Sequence, residues 1–170
     1  MTEKTAQITT IWYLAMTSPS ELIRKPLPDS GFEVRECSED LFEYNRFLYE
    51  FVGKHWEWTD KLTWTEQQWQ DYVESANLRT WVLYKSGSPA GYFELQKKSE
   101  DIVELAYFGL AKSFIGQGLG SGFLCKAIEE AWSWGAKKVQ VNTCSLDHPS
   151  ALDNYKARGF KLENTVEKPA

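Results

Sequence analysis

The sequence predicts a single α/β domain in which helices cover a mixed β-sheet. Its 170 residues are enough for one domain with a sizeable core, and 42% of them are hydrophobic, an ordinary globular balance. The turn residues Ser86 and Gly87 separate two apolar segments and indicate an antiparallel hairpin. After the hairpin, strand and helix patterns alternate, as they do when helices pack on a sheet. We expect one domain over residues 1–170, with its core at about 31–166 and an N-terminal strand and loop at 1–30.

The first elements follow from residue type and spacing. Ile8–Met16 is rich in β-branched and aromatic residues, which predicts a strand. Ser18–Ser30 holds three of the six prolines and predicts a loop, and the alternating segment Phe32–Cys37 predicts a short strand. Apolar residues over Leu41–Phe51 recur at helical spacing, and Gly53 is expected to stop that helix.

The middle of the chain predicts a helix, a hairpin and a central strand. Thr65 and Gln68 have the spacing of a capping box, so a helix should begin there. The hairpin strands are Thr80–Tyr84 and Ala90–Gln96. Ile102–Leu110 is almost continuously apolar and predicts a central strand buried on both faces.

The last elements follow a glycine-rich segment. Apolar residues over Leu119–Ala131 predict a long helix, and Lys138–Cys144 alternates as a strand. Pro149 suits the first position of a final helix, with Gly159 at its C-terminal cap. Phe160–Val166 then predicts the last strand.

Composition argues against several classes of function. The net charge is −5 and no run of Lys or Arg occurs, which disfavours nucleic-acid binding. Three cysteines without CxxC spacing and only two histidines disfavour a metal site or a disulfide framework. The polar segment Met1–Gln7 and the short apolar run after it predict neither a targeting signal nor a membrane span, so we expect a cytoplasmic protein.

The glycine-rich segment is the strongest chemical signal. Gly116, Gly118, Gly120 and Gly122 lie within seven residues, between a predicted strand and a predicted helix. Without a Cβ, backbone N–H groups can converge on one concavity, and the helix N-terminus adds partial positive charge. Such a site binds phosphate without a basic side chain. The alternative is a tight turn only, which the density of glycines at a helix start disfavours.

Two common nucleotide motifs do not fit this segment. A P-loop requires Gly-Lys-Ser/Thr, which does not occur. The dinucleotide fingerprint Gly-x-Gly-x-x-Gly requires a third glycine where this chain has Ser121 or Phe123, depending on the register. The sequence therefore disfavours both of these nucleotide-binding classes.

The segment instead resembles the Gln/Arg-x-x-Gly-x-Gly/Ala signature of the GNAT superfamily of N-acetyltransferases. Gly118 and Gly120 match its glycines, whereas Ile115 replaces the Gln/Arg. The segment His148–Phe160 resembles a second GNAT sequence element, except that His148 stands where the family usually has Asn. The resemblance covers Thr80–Phe160 and implies the GNAT fold, a mixed, mostly antiparallel central sheet flanked by helices.

The resemblance also implies acetyl-coenzyme A (acetyl-CoA) as the co-substrate. The backbone of Phe108, Gly109 and Leu110 would pair with the pantetheine arm as with an added strand. His148 and Tyr155 are expected to contact the co-substrate as well. The implied contacts of the loop and helix start, including the pyrophosphate site, are Ile115, Gly116, Gln117, Gly118, Leu119, Gly120 and Ser121.

Two side chains are the main catalytic candidates that the resemblance implies. Tyr155 would donate to the departing coenzyme A thiolate, and the alternative is a tyrosine that only packs on its helix. Glu104, the carboxylate within the apolar central strand, is a candidate general base whose pKa burial would raise. The alternative is a Glu104 paired with a neighbouring cation. His148 is a rival base, and Cys144 is disfavoured as an acetyl carrier because the family transfers the acetyl group directly.

The segment Glu36–Asn77 is the expected acceptor side. Ten acidic and three basic residues give it a net charge of −7, and it holds ten aromatic residues. A binding pocket lined by such acidic and aromatic residues suits a cationic amine, through charge attraction and cation–π contacts. Trp56 and Trp58, in a predicted loop, are the candidate acceptor-binding residues, whereas Trp69 and Tyr72, at helical spacing, are expected in the core.

Together these features predict an acetyl-CoA-dependent N-acetyltransferase. The acetyl group would pass by direct attack in a ternary complex to a primary amine, either a small molecule or a peptide and most simply a small cationic amine. The alternative is a non-catalytic acetyl-CoA-binding or regulatory module of the same fold. No metal, nucleic acid or membrane partner is expected, and a homodimer is compatible with the sequence.

Overall fold

The computed structural model describes residues 7–28 and 30–169, which build one seven-stranded sheet with four α-helices. The order of elements matches the predicted order, and the predicted mixed α/β fold class is confirmed. Two short 3-10 turns, Pro19–Glu21 and Lys112–Phe114, lie in the connections. The main elements are β1 (Ile8–Met16), β2 (Phe32–Glu36), α1 (Phe42–Gly53), α2 (Glu66–Val73), β3 (Leu78–Lys85), β4 (Ser88–Lys97), β5 (Ile102–Leu110), α3 (Gly120–Ser133), β6 (Lys138–Cys144), α4 (Ala151–Ala157) and β7 (Lys161–Pro169).

The sheet is mostly antiparallel. Its strand order is β2-β3-β4-β5-β6-β1-β7, so β5 is the fourth of the seven strands. Within the described residues the pairing of β5 with β6 is parallel, and the five other strand pairs are antiparallel. The predicted hairpin is confirmed as β3 and β4, which turn at Ser86 and Gly87.

Helices cover both faces of the sheet. On one face α3 and α4 pack on the larger core cluster, in which Phe93 and Phe123 are fully buried. On the other face α1 and α2 pack on smaller clusters that contain Leu48, Tyr92 and Trp69. None of the helices in the described ranges is long and apolar enough to cross a bilayer.

Most predicted boundaries hold, and two are wrong for identifiable reasons. The capping box is confirmed, since the Gln68 backbone N–H donates to Thr65 Oγ1 and the Thr65 backbone N–H donates to Gln68 Oε1. Gly53 does not follow α1 but is its last residue, and a Cβ there would lie 2.5 Å from the Trp58 ring. Pro149 is not the first residue of α4, which begins two residues later at Ala151.

The central strand is buried over only part of its length. Val103 and Leu105 are buried, as predicted, but residues 106–110 are half-buried. Val103 and Leu105 share one face, and on the other face Ile102 and Glu104 are only half-buried. The prediction of burial on both faces is therefore wrong, and the second half of β5 lines an open cleft.

Candidate active site

The cleft arises where two parallel strands part. The pairing of β5 with β6 ends at Leu105 and Val141. Beyond that point β6 continues to pair with β1, whereas the described contacts of residues 106–110 in the sheet are with β4 alone. The opening between the strands is a cavity of about 1050 Å³. It leaves one backbone edge of β5 available to an extended ligand.

A β-bulge sits at the point where the strands part. Tyr107 pairs with Glu94 and Leu105 pairs with Leu95, which leaves Ala106 as the extra residue of β5. Bulges redirect the side chains that follow them and are frequent beside functional sites. Here the bulge directs Tyr107 toward α1 and α2, where it packs with Tyr49 and Trp58.

The glycine-rich loop forms one wall of the cleft. Gly116 and Gly118 have φ angles of +85° and +75°, which is the left-handed region that favours glycine. The loop leads into α3, whose first residues Gly120 and Ser121 also line the cleft. Unpaired backbone N–H groups at this helix start give the wall the character of an anion site.

Helix α4 supplies the opposite wall. Tyr155 is buried, lines the cleft and packs its ring on Phe108 and Phe160, with ring centroids 6.4 and 5.9 Å away. Burial raises the pKa of the Tyr155 phenol above its ordinary value, so the hydroxyl keeps its proton at neutral pH. One residue earlier, Asn154 accepts a hydrogen bond through Oδ1 from the Ser121 hydroxyl at 3.2 Å, which ties α4 to the start of α3.

Glu104 lies in the cleft as a half-buried, paired carboxylate. Its Oε2 is 3.3 Å from Lys98 Nζ, and its Oε1 accepts a hydrogen bond from Gln140 Nε2 at 3.2 Å. The structure therefore shows the ion pair with a neighbouring cation that the sequence left as an alternative. The same carboxylate still lines the cleft.

His148 acts as a local cap. Its Nδ1 accepts a hydrogen bond from the Ser150 backbone N–H at 3.0 Å, and the Ala151 backbone N–H donates to the His148 carbonyl at 2.9 Å. This turn holds residues 149 and 150 outside the helix and explains why α4 begins later than Pro149. A histidine that accepts through Nδ1 carries its proton on Nε2 when neutral, which leaves no free basic nitrogen.

The connection between α1 and α2 lines the end of the cleft where the acceptor is expected from the sequence. Trp56 and Trp58 both line it, and Trp58 also packs against Tyr49 and Tyr107. Trp69 is buried, as predicted, whereas Tyr72 is half-buried and lines the cleft.

Lys61, from the same connection, lies in an aromatic cage. Its Nζ is 4.4 Å from the ring centroid of Trp64, 4.9 Å from that of Tyr72 and 4.8 Å from that of Tyr107, and it donates to the Tyr107 hydroxyl at 3.0 Å. Burial lowers the Lys61 pKa, while the nearby Glu94 and Asp60 oppose that change. The aromatic surfaces of this region are thus arranged to hold an ammonium group.

Glu94 is a buried acid that sequence reasoning missed, and it contacts the cleft residue Tyr72 without lining the cleft itself. Only 1% of it is exposed, and its carboxylate accepts hydrogen bonds from Asn45 Nδ2 at 2.9 Å and from the Tyr72 hydroxyl at 2.6 Å. Burial raises the Glu94 pKa, and the two hydrogen bonds and Lys61 oppose this. Glu94 is the one acid in the predicted strand Ala90–Gln96, just as Glu104 is the one acid in Ile102–Leu110.

Nearly all of the predicted site residues line this one cleft. Gln117 does not: it is exposed, and its side-chain amide donates to the Ser113 carbonyl at 3.1 Å. Cys144 lines the cleft, but burial raises its pKa and disfavours the nucleophilic thiolate. The predicted residues that the cleft brings together are Trp56, Trp58, Glu104, Phe108, Gly109, Leu110, Ile115, Gly116, Gly118, Leu119, Gly120, Ser121, His148 and Tyr155.

Solved structures share this fold at low sequence identity. A GCN5-related N-acetyltransferase from Kribbella flavida superposes with a TM-score of 0.68 at 19% identity, over 93% of this chain and 56% of its own. A second such protein, from Sphaerobacter thermophilus, gives a TM-score of 0.67 at 17% identity, over 95% and 52%. The present chain thus spans little more than half the length of either protein.

A third solved structure is closer in length. The aminoglycoside acetyltransferase meta-AAC0020, from an uncultured soil metagenomic sample and solved with sisomicin, gives a TM-score of 0.64 at 16% identity, over 80% of this chain and 92% of its own. No curated protein matches this chain by sequence.

The family model is the decisive comparison. The model of the acetyltransferase (GNAT) family matches residues 37–160, which is most of the chain and includes α1 through α4. The matched segment contains the glycine-rich loop, the parted strands and the Tyr155 helix. The chain belongs to the GNAT acetyltransferase family.

Proposed function

We propose that this chain is an acetyl-CoA-dependent N-acetyltransferase that transfers the acetyl group to a primary amine by direct attack in a ternary complex. One observation carries the proposal: a backbone anion site, a free strand edge and a protonated phenol all line the same cleft. Each of these features serves a different part of the reaction.

The glycine-rich loop and the start of α3 would hold the pyrophosphate of the co-substrate. Gly116 and Gly118 adopt left-handed conformations, and an added Cβ at either would meet open space. The backbone there is thus accessible to a ligand, and the α3 N-terminus supplies unpaired donors. The free edge of β5, at residues 108–110, would accept the extended pantetheine arm by backbone pairing.

Tyr155 and Glu104 would manage the protons. Acetyl-CoA supplies an activated acetyl thioester, and the departing thiolate needs a hydrogen bond or a proton. Because the Tyr155 side chain lines the cleft and its hydroxyl is protonated at neutral pH, we assign it the role of donor. Glu104 is the carboxylate of β5 in the cleft, and we assign it as the base that takes the amine proton, directly or through water. His148 is less suited, because its Nδ1 already accepts from Ser150.

The acceptor is proposed to be a small cationic amine. The acceptor end presents the indoles of Trp56 and Trp58 beside the carboxylates of Glu57, Asp60 and Glu104. The ammonium of Lys61 already lies in the aromatic cage of that region, which supports a chemistry suited to cations. An incoming cation would compete with Lys61 for these rings.

Thiol release from acetyl-CoA would test the proposal with three matched amines. These are 1,4-diaminobutane, butylamine and 4-aminobutyrate, which differ in the charge of the far end. We expect turnover with the first two, the lowest KM for the diamine, and a KM that rises with ionic strength because salt screens the carboxylates. Binding of acetyl-CoA without thiol release with these amines or with a lysine peptide would indicate the non-catalytic alternative. Equal use of all three amines would refute the proposal of a cationic acceptor but not the proposal of acetyl transfer.

Lys61 provides a second test of the acceptor class. Lys61→Met removes a charge that competes for the cage, so the KM for 1,4-diaminobutane should fall while that for 4-aminobutyrate does not. Lys54→Met removes an exposed charge from the same connection and is the control. A KM for the diamine that is unchanged or higher in Lys61→Met would contradict competition at the cage.

A further inference from the structure

The cleft contains a buried cation that none of the roles above uses. Arg158, at the end of α4, is only 8% exposed and lines the cleft. Its Nε and Nη1 atoms are buried and have no hydrogen-bond partner among the residues that the structure describes. A guanidinium in that state pays a large desolvation cost, and a protein retains such a group when an anion completes its surroundings.

Arg158 lies one helical turn after Asn154, the α4 residue that contacts the start of α3 next to the glycine-rich loop. The two side chains therefore lie on the same face of α4, with Cβ atoms about 6 Å apart. Asn154 contacts Ser121 at the start of α3, the proposed pyrophosphate site. Arg158 therefore lies beyond that site, displaced along α4.

A second cation comes from the segment before β2. The Ile23 backbone N–H donates to the Arg158 carbonyl at 2.9 Å, which fixes this segment against the end of α4. Two residues later, Lys25 lines the same cleft. The neighbouring acids are engaged elsewhere, since Glu21 pairs with Lys161 at 3.0 Å and Glu129 pairs with Arg24. Asp153 also lines the cleft but, within residues 7–28 and 30–169, pairs with neither cation.

We propose that Arg158, assisted by Lys25, forms a second anion subsite that binds the 3′-phosphate of coenzyme A. This inference rests on the proposed use of acetyl-CoA and adds a determinant for its nucleotide end. Coenzyme A carries a phosphomonoester on its ribose in addition to its pyrophosphate, and a phosphomonoester bears between one and two negative charges near pH 7. The planar fork of an arginine matches its oxygens, whereas the backbone site at α3 is separate and serves the pyrophosphate.

The direct test compares coenzyme A with 3′-dephospho-coenzyme A by titration calorimetry. The wild-type chain should bind coenzyme A more tightly by roughly ten- to a hundredfold, the range for hydrogen bonds to a charged group. Arg158→Met should lose this preference by weakening coenzyme A only. Lys156→Met, an exposed cation on the same helix, should keep it. If the wild type bound neither ligand, the proposed function itself would fail, whereas equal binding of both would overturn the subsite alone.

The melting temperature of the ligand-free protein is a second measurement. Replacing an unpaired buried charge with an apolar side chain of similar length should raise it, while the stabilisation by added coenzyme A becomes smaller. If Arg158→Met instead lowered the melting temperature and weakened both ligands equally, Arg158 would be a structural or pyrophosphate-binding residue. That result would overturn the assignment.

Discussion

The Trp56 indole and the His148 imidazole meet edge to face, with their ring centroids 4.8 Å apart. Trp56 comes from the connection between α1 and α2, and His148 comes from the turn before α4. One aromatic contact therefore links the acceptor end of the cleft to the helix that carries Tyr155. The proposed acceptor site and the proposed co-substrate site are therefore connected by side chains from distant parts of the chain.

Removing this contact should affect the acceptor more than the co-substrate. Trp56→Ala is expected to raise the acceptor KM by about three- to tenfold, from the loss of one aromatic pair. Acetyl-CoA affinity should remain nearly unchanged, because the loop and the β5 edge are intact. Steady-state kinetics and calorimetry would check both values. Phe47→Ala, which removes an aromatic ring that is 46% exposed on α1, is the control, and an equal loss in co-substrate affinity would contradict the division of the cleft.

The glycine-rich loop should tolerate no side chain that fills its anion site. Acetyl-CoA is expected to raise the melting temperature of the wild type, since a ligand selective for the folded state stabilises it. Gly118→Glu should abolish that increase by placing a carboxylate in the site. Gly87→Glu is a matched control, because Gly87 has a similar φ of +88° and also meets open space, but it lies in the β3–β4 turn. A full increase in Gly118→Glu would refute the phosphate assignment.

Loss of the Tyr155 hydroxyl should slow turnover without weakening co-substrate binding. Tyr155→Phe keeps the ring that packs on Phe108 and Phe160, so the fold should be unaffected. We expect kcat to fall by roughly ten- to a hundredfold, at the low end of general acid effects. Tyr13→Phe, on the exposed part of β1, should retain full activity. Unchanged kcat in Tyr155→Phe would leave this residue a packing role only.

Glu94 should make folding stability decrease as pH rises. Burial raises its pKa in the folded state above the unfolded value of about 4.3, so folding favours the protonated carboxyl. Its contribution is complete below the unfolded pKa and is lost as pH rises through the folded pKa. Urea unfolding at pH 5 and pH 8 should therefore show Glu94→Gln gaining stability over the wild type as pH increases. Glu100→Gln removes an exposed carboxylate as the control, and parallel pH dependence of Glu94→Gln and the wild type would contradict the assignment.

Local patterns predicted the elements well because each element carries its own signal. The strand β1 has the predicted bounds, and the Thr65 capping box and the Ser86–Gly87 turn occur as expected. The loop residues of the cleft were also predictable, because glycine spacing at a helix start has a direct backbone consequence. The roles of Gly53 and Pro149 were not, since one depends on the approach of Trp58 and the other on a hydrogen bond from Ser150 to His148.

Contacts between distant residues account for what the sequence did not predict. Glu94, Asn45 and Tyr72 meet only because β4, α1 and α2 pack together. Lys61 lies in a connection without regular secondary structure, so no periodic pattern in the sequence predicts its position in the aromatic cage. The unpaired state of Arg158 is likewise visible only once its neighbours are in place.

The bulge at Ala106 shifts the alternation of inward- and outward-facing side chains in β5 by one residue. Before it, Val103 and Leu105 face α3, and after it, Phe108 and Leu110 face α3, although an uninterrupted strand would turn those two away. A deletion of Ala106 would therefore remove the extra residue and leave Tyr107 directed away from α3 and Phe108 directed toward it, as they are now. A one-residue deletion at Ala106 should consequently be far less damaging than a one-residue deletion after Tyr107, which would exchange the two faces of the residues that line the cleft.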